Sequence, residues 1–165
     1  MKLHRVFLLL GSNLGDRALH IQHAMDAIQP RIGKTEKISS LYETEPWGVS
    51  DQPNYLNAAM IIHTSYSPQE LLTLIKQIEL EEGRTDQKKY ASRILDIDIL
   101  FYNDLVLNSK DLIIPHPRLQ DRRFALIPLN EIDSDFIHPV FKKSIAELLK
   151  ECQDTLKVVK LNNTK

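Results

Sequence analysis

Two aspartates set one residue apart inside an aliphatic run, Leu95-Asp96-Ile97-Asp98-Ile99, are the residues of this chain best suited to do chemistry. On a strand, alternate side chains face opposite ways, so Leu95, Ile97, Ile99 and Phe101 are expected on one face. Asp96 and Asp98 then share the other face, about 7 Å apart at Cα. At about 5 Å between charges and an effective dielectric of about 20, their repulsion costs about 3 kcal/mol. A divalent cation relieves it, and two hard carboxylates without a histidine cluster suit Mg²⁺ better than zinc. The alternative is a solvated strand face paired with nearby Lys or Arg, but aspartate is a poor strand former and two in one strand ask for a reason. Cations flank the pair: Arg84, Lys88, Lys89 and Arg93 before it, and His116, Arg118, Arg122 and Arg123 after it. Carboxylates for a metal and cations for phosphate oxygens are the parts that phosphoryl transfer requires, because its catalysis is mostly positioning and charge neutralisation.

A second constellation suits a flat heterocycle. Thr44-Glu45-Pro46-Trp47-Gly48, followed by Tyr55-Leu56-Asn57, sets aromatic rings beside amide and hydroxyl groups in a proline-stiffened loop. Rings offer stacking surface, and the Asn57 amide, with donors and an acceptor, matches a planar hydrogen-bonding edge. Packing of Trp47 and Tyr55 beneath a loop is the competing explanation. Other features point less far. The Gly11–Asp16 turn lacks the Gly-Lys-Ser/Thr ending of a phosphate loop and reads first as a strand-to-helix turn that needs glycine. His20 and His23 read as a surface or partly buried pair, and Cys152 as a core thiol.

The elements that must carry these residues follow from periodicity. Val6–Leu10 reads as a buried first strand. A helix capped by Asp16 follows, with Leu14, Ala18, Ile21, Met25 and Ile28 on its stripe and Pro30 at its end. Residues 35–44 and 55–65 read as strands around a long loop, 45–54. Ser67-Pro68-Gln69-Glu70 opens a second helix by a capping box, with Leu71, Leu72, Ile75 and Ile78 inward and Gly83 at its end. A polar loop over 84–93 leads to the Ile94–Tyr102 strand, and 113–118 is extended around two prolines. Short helices over 121–130 and 144–152 and an edge strand over 156–161 complete the chain. Strand, helix, strand, strand, helix, strand is the split βαβ order of a ferredoxin-like α+β sandwich: a mainly antiparallel sheet, helices on one face, substrate loops over the other.

Composition bounds the rest. With 165 residues and 42% hydrophobic content, one domain is expected, residues 1–161, with 162–165 as a polar tail. A lone cysteine excludes a disulfide framework or a thiolate zinc site and fits a reducing, cytoplasmic setting. The five-residue apolar run at the N-terminus is too short for a signal-peptide core or a membrane span. A net charge of −1, from 21 Lys+Arg against 22 Asp+Glu, gives no basic stripe, so neither nucleic acid nor a membrane is an expected partner, and a monomer is expected.

Taken together, the motifs resemble the 6-hydroxymethyl-7,8-dihydropterin pyrophosphokinases of folate synthesis. The resemblance rests on six ordered blocks: Gly11-Ser12-Asn13-Leu14-Gly15, residues 42–46, residues 51–59, Ile78-Glu79 with Gly83-Arg84, residues 93–100, and residues 114–118 with Arg122 and Phe124. It implies transfer of the terminal pyrophosphoryl unit of ATP to the pterin hydroxymethyl oxygen, leaving AMP, with two Mg²⁺ ions held by Asp96 and Asp98. Catalytic positions by the same matches are Arg84, Arg93, Asp96 and Asp98. His116, Arg122, Arg93 and Ile99 fall on ATP-binding positions, and Thr44, Trp47, Tyr55, Asn57 and Phe124 on the pterin pocket. Loops 84–92 and 45–54 are expected to close over both substrates and exclude water. The chain departs from the pattern after Gly83, where Asp86, Tyr90 and Ser92 stand in for an arginine, a tryptophan and a proline, and Lys88 or Lys89 is left to supply charge. Two rival classes are a nucleotidyl transferase, for which Asp96 lies too far downstream of the Gly-Ser turn, and a non-catalytic ligand- or RNA-binding module, for which a basic surface is missing.

Overall fold

The computed structural model describes residues 2–45, 53–83 and 93–161. Its main sheet runs β5-β1-β4-β3-β8, with β2 also pairing β4, and every pairing in it is antiparallel. In chain order the elements are β1 (His4–Ser12), α1 (Arg17–Arg31), β2 (Lys34–Ile38), β3 (Tyr42–Thr44), β4 (Tyr55–Thr64), α2 (Pro68–Glu81), β5 (Asp96–Tyr102), β6 (Leu107–Asn108), β7 (Ile113–Ile114), α3 (Arg123–Asp133), α4 (Ile145–Glu151) and β8 (Val158–Lys160). A 3₁₀ turn at Leu119–Asp121 precedes α3. This is the expected α+β sandwich.

β1 lies mid-sheet and is buried from Val6 to Ser12, which is why its sequence is an unbroken apolar run rather than an alternating one. Val6, Leu8 and Leu10 meet Ile21, Ile28, Leu71 and Ile75 of α1 and α2. Phe7 and Leu9 face the other way, against Leu126, Leu129, Ile145 and Leu148 of α3 and α4. Helices thus cover one face and part of the second, where an open face was expected; the part of the second face without a described helix lies at the Ser12 end of β1, the Tyr55 end of β4 and the Asp96 end of β5, and the expected roofing loops lie largely outside the described residues. Fully burying one Leu or Phe side chain contributes about 1.5–3 kcal/mol, so a core on both faces of a six-stranded sheet anchors the strand ends well.

Local signals act as expected at the caps. Asp16 accepts from Leu19 N–H, and Ser67 with Glu70 and Ser144 with Glu147 form reciprocal capping boxes. Gly83, at φ +105°, closes α2 where a Cβ would be strained. Elsewhere tertiary context shifts the elements. Pro30 sits inside the last turn of α1, which ends one residue later, because a proline there forfeits only a terminal bond. The buried stripe of α1 is Ile21, Ala24 and Ile28, while Leu14 is exposed. The 35–44 strand divides into β2 and β3 at Ser39, whose N–H donates to Ala59 O and whose Oγ accepts from Ala59 N–H. Phe101 departs from the expected face: Leu8 pairs Ile99 and Phe7 pairs Phe101, so Leu100 is an extra residue, a β-bulge, and Phe101 joins the α3/α4 core. The third helix lies at 123–133 instead of 121–130. Cys152 is half-buried against the α3/α4 core. His20 and His23 both bond through Nδ1 to Glu82 Oε2, at 2.7 and 2.8 Å.

His138 locks the turn before α4. It is 2% exposed, and its Nδ1 accepts from Val140 and Phe141 N–H, so the ring is neutral with its proton on Nε2. Burial pushes its pKa down to about 4. The unfolded chain, with an ordinary histidine, therefore binds the extra proton first, and the stability this one group contributes falls as pH drops from about 6.5 towards 4, by at most about 3 kcal/mol, with His116 adding a loss in the same direction. Glu36, held down to about 2 chiefly by its hydrogen bond from Arg5, loses its contribution only at lower pH. Urea midpoints at pH 7 and pH 5 should drop in the wild type and drop less in His138→Asn, whose Oδ1 keeps the acceptor; equal drops would contradict the assignment.

Candidate active site

The site is built on the end of the second sheet face that no described helix covers. Register places Tyr42 opposite Asn57, Asn57 opposite Gly11, and Gly11 opposite Asp96, a single row across four strands. Thr44 pairs Tyr55 in one adjoining row, and Leu9 pairs Asp98 in another. Directly paired residues share a face, so Thr44, Tyr55, Asn57, Asp96 and Asp98 all project to one side. Neighbouring strands lie about 4.8 Å apart, which sets Asn57 and Asp96 about 10 Å apart, with Gly11 between them. A Cβ built on Gly11 would stand 2.5 Å from Asn57 Nδ2. Glycine there leaves a trough between the amide and the carboxylate.

The Asn57 end of the trough is short of partners. Thr44 Oγ1 and Asn57 Oδ1 are buried and make no hydrogen bond among the described residues, while Asn57 Nδ2 donates a long bond, 3.4 Å, to Leu10 O. A buried polar atom without a partner costs about 1–3 kcal/mol, a penalty that a ligand with N–H donors would relieve.

The Asp96 end is charged. Asp96 and Asp98 are both half-buried on β5. The residue between them is pinned from behind: Glu79 of α2, 7% exposed, accepts the Ile97 N–H through Oε2 at 2.7 Å. His116 is held near the pair by its N–H on Leu100 O at 3.1 Å, the bulge carbonyl. Its Nδ1 accepts from Arg118 N–H at 3.2 Å, which leaves Nε2–H as the donor. Burial first, and then the Arg122 charge, push its pKa down to about 4, against the opposing pull of Asp96. His116 is therefore neutral at pH 7 and offers a donor without a charge. The Arg122 guanidinium stands 5.6 Å from the Phe124 ring centre, within cation–π range. Beside Asp98, a cleft of about 280 Å³ opens between Leu72, Ile99, Leu112, Ile113 and His116.

The structure thus brings together Thr44, Tyr55, Asn57, Asp96, Asp98, His116 and Arg122, with Phe124 beside Arg122. Arg93 leads directly into β5. The Ile99 side chain packs in the α1/α2 core while also lining the cleft. Trp47 and Arg84 lie outside the described residues, as do the loop positions 86–92. Sequence reading gave Glu79 and Asn13 no role of their own; the signal for Glu79 was an acid beside Ile75 and Ile78 on the buried side of α2.

The two aspartates suit a hard divalent cation, and no group of three or more His, Cys, Asp or Glu able to hold a metal occurs among the described residues. A cation there would complete its oxygen shell from substrate phosphates and water.

Comparison with known proteins decides among the chemistries this arrangement allows. The family model described as 7,8-dihydro-6-hydroxymethylpterin-pyrophosphokinase matches residues 7–134. The chain belongs to this pyrophosphokinase family. A relative in Aquifex aeolicus, named 2-amino-4-hydroxy-6-hydroxymethyldihydropteridine pyrophosphokinase, is 44% identical over 152 residues, covering 92% of this chain and 93% of its own length. The mitochondrial folate synthesis bifunctional protein of Arabidopsis thaliana is 43% identical over 129 residues, 78% of this chain and 23% of that protein. Among solved structures, wild-type HPPK-DHPS of Plasmodium falciparum with pteroate superposes with a TM-score of 0.75 at 19% identity, over 91% of this chain and 42% of that one. As a member of the family, the chain is a pyrophosphokinase of folate biosynthesis, a transferase acting on a pterin. No helix among the described residues is long and apolar enough to cross a membrane.

Proposed function

We propose that this pyrophosphokinase works in the trough along the Asn57–Gly11–Asp96 row, with the pterin at the Asn57 end and the ATP phosphates at the Asp96 end. The row itself carries the reading: Thr44 Oγ1 and Asn57 Oδ1, buried and without partners among the described residues, at one end, paired carboxylates at the other, and a glycine gap between. Thr44 and Asn57 take the N–H edge of the pterin, and Tyr55 and Phe124 its ring faces, with Trp47 assigned to the same pocket. Its hydroxymethyl group then points along the row towards Asp96.

Asp96 and Asp98 hold Mg²⁺, two ions by family resemblance, and when bound this metal neutralises the phosphate charge and aligns nucleophile with leaving group. Arg93, Arg122 and the His116 Nε2–H face the phosphate oxygens as charge spreads over them, and Arg84 is assigned the same task. The base of ATP occupies the cleft lined by Leu72, Ile99 and Leu112. The hydroxymethyl oxygen bonds to the β-phosphorus and gives up its proton to solvent, the bond from that phosphorus to the oxygen bridging to the α-phosphate breaks, and AMP leaves with that oxygen. One domain suffices for this, and we read it as a cytoplasmic monomer. Incubation with ATP, Mg²⁺ and 6-hydroxymethyl-7,8-dihydropterin should yield AMP and the pterin diphosphate in equal amounts. Release of inorganic pyrophosphate, or of ADP, would refute the assignment.

A further inference from the structure

One side chain of the Gly11–Asp16 turn has no part in the chemistry above, yet joins both ends of the site. Asn13 is 1% exposed. Its backbone N–H donates to Arg93 O at 3.0 Å, its Oδ1 accepts the Arg93 N–H at 2.7 Å, and its Nδ2 donates to Pro53 O at 3.1 Å. The partners fix the amide orientation, since Arg93 N–H needs an acceptor and Pro53 O needs a donor. Arg93 leads into β5 with Asp96 and Asp98, and Pro53 leads into β4 with Tyr55 and Asn57. One side chain therefore ties the approach to the phosphate end and the approach to the pterin end to the same point on β1.

We propose that Asn13 is a positioning residue with two separable arms: Oδ1 sets Arg93 for the nucleotide, and Nδ2 sets the Pro53 approach for the pterin. This rests on the placement of the two substrates given above. Asparagine is the side chain of this length that both accepts and donates in a plane. Aspartate keeps the acceptor for Arg93 but turns an oxygen towards Pro53 O, and leucine loses both arms. The pterin approach has a second tie, because Arg17 Nη1 donates to Asn54 O at 2.9 Å and to Glu43 Oε2 at 2.8 Å. Cutting the Nδ2 arm should accordingly shift that approach without releasing it.

The test is calorimetric titration of the full chain with Mg²⁺ and a non-hydrolysable ATP analogue, and separately with 6-hydroxymethylpterin. Asn13→Asp should weaken pterin binding about tenfold and leave nucleotide binding within about twofold, whereas Asn13→Leu should weaken both about tenfold. Equal losses for both ligands in Asn13→Asp, or wild-type affinities in either variant, would overturn the proposal. So would a fall in the titrated fraction of active protein with unchanged dissociation constants, the mark of a merely structural role. If Asn13→Leu does not fold, Asn13→Asp carries the test alone. Arg93→Ala and Asn57→Ala separate the layers. Should they fail to weaken nucleotide and pterin respectively, the substrate placement falls and takes this proposal with it. Should they weaken them while Asn13→Asp spares the pterin, only the role of Asn13 falls.

Discussion

Replacing Asp96 or Asp98 by alanine lowers kcat by at least about 10³-fold, about 4 kcal/mol of transition-state stabilisation, while the fold stays intact. The argument is one of charge. Both carboxylates are half-buried on one face of β5, two positions apart, close enough for like charges to favour a divalent cation between them. Neither side chain belongs to the apolar clusters on the two sheet faces, so the unliganded variants should keep a cooperative melt. The loss should appear only when nucleotide and Mg²⁺ are present. Turnover and thermal melting measured side by side check this, and either variant turning over within tenfold of the wild type would remove the metal from Asp96 and Asp98.

Asn57→Ala is expected to lower kcat/KM for the pterin by about 10²–10³-fold, because a site that matches a hydrogen-bonding edge loses most when one matching group is deleted. Asn57 is 4% exposed, and its Oδ1 makes no hydrogen bond among the described residues. The alanine variant therefore removes an unsatisfied buried acceptor, and the free protein should be as stable as the wild type or more so. Lost pterin affinity with retained or raised melting temperature is the signature of a group kept for a ligand. Lost affinity with a lowered melting temperature, or unchanged affinity, would assign Asn57 to packing instead.

How legible the molecule is from its sequence varies with the range of the forces involved. Capping boxes at Ser67 and Ser144 and the aliphatic run of β1 are local signals, and they are realised as read. The Asp96/Asp98 face is legible too, because strand alternation is set within a few residues. Phe101 is not, since the bulge at Leu100 that turns it to the α3/α4 core depends on pairing with Phe7 and Leu8, far away in the chain. The same holds for the helices on the second face: α3 and α4 each show a buried side, but nothing in either says which face of the sheet it will cover. In the site, residue types announced Asp96, Asp98 and Asn57. The roles of Glu79 and Asn13 consist of bonds to backbone groups of distant segments, Ile97 for the one and Arg93 and Pro53 for the other, which no spacing rule encodes.

The outer margin of β5 ends the sheet on the acid-bearing side, and an end strand ordinarily leaves amide groups that another chain could pair with. Here two of those groups are already engaged within the molecule: Ile97 N–H by the Glu79 carboxylate, and Leu100 O by His116 N–H. A second polypeptide adding itself alongside β5 would have to break both, and with them the supports of Asp96, Asp98 and His116. Strand-to-strand association from that margin and an intact site are therefore mutually exclusive, so crowding or aggregation that grows the sheet is left to the far margin, along β2 or β8.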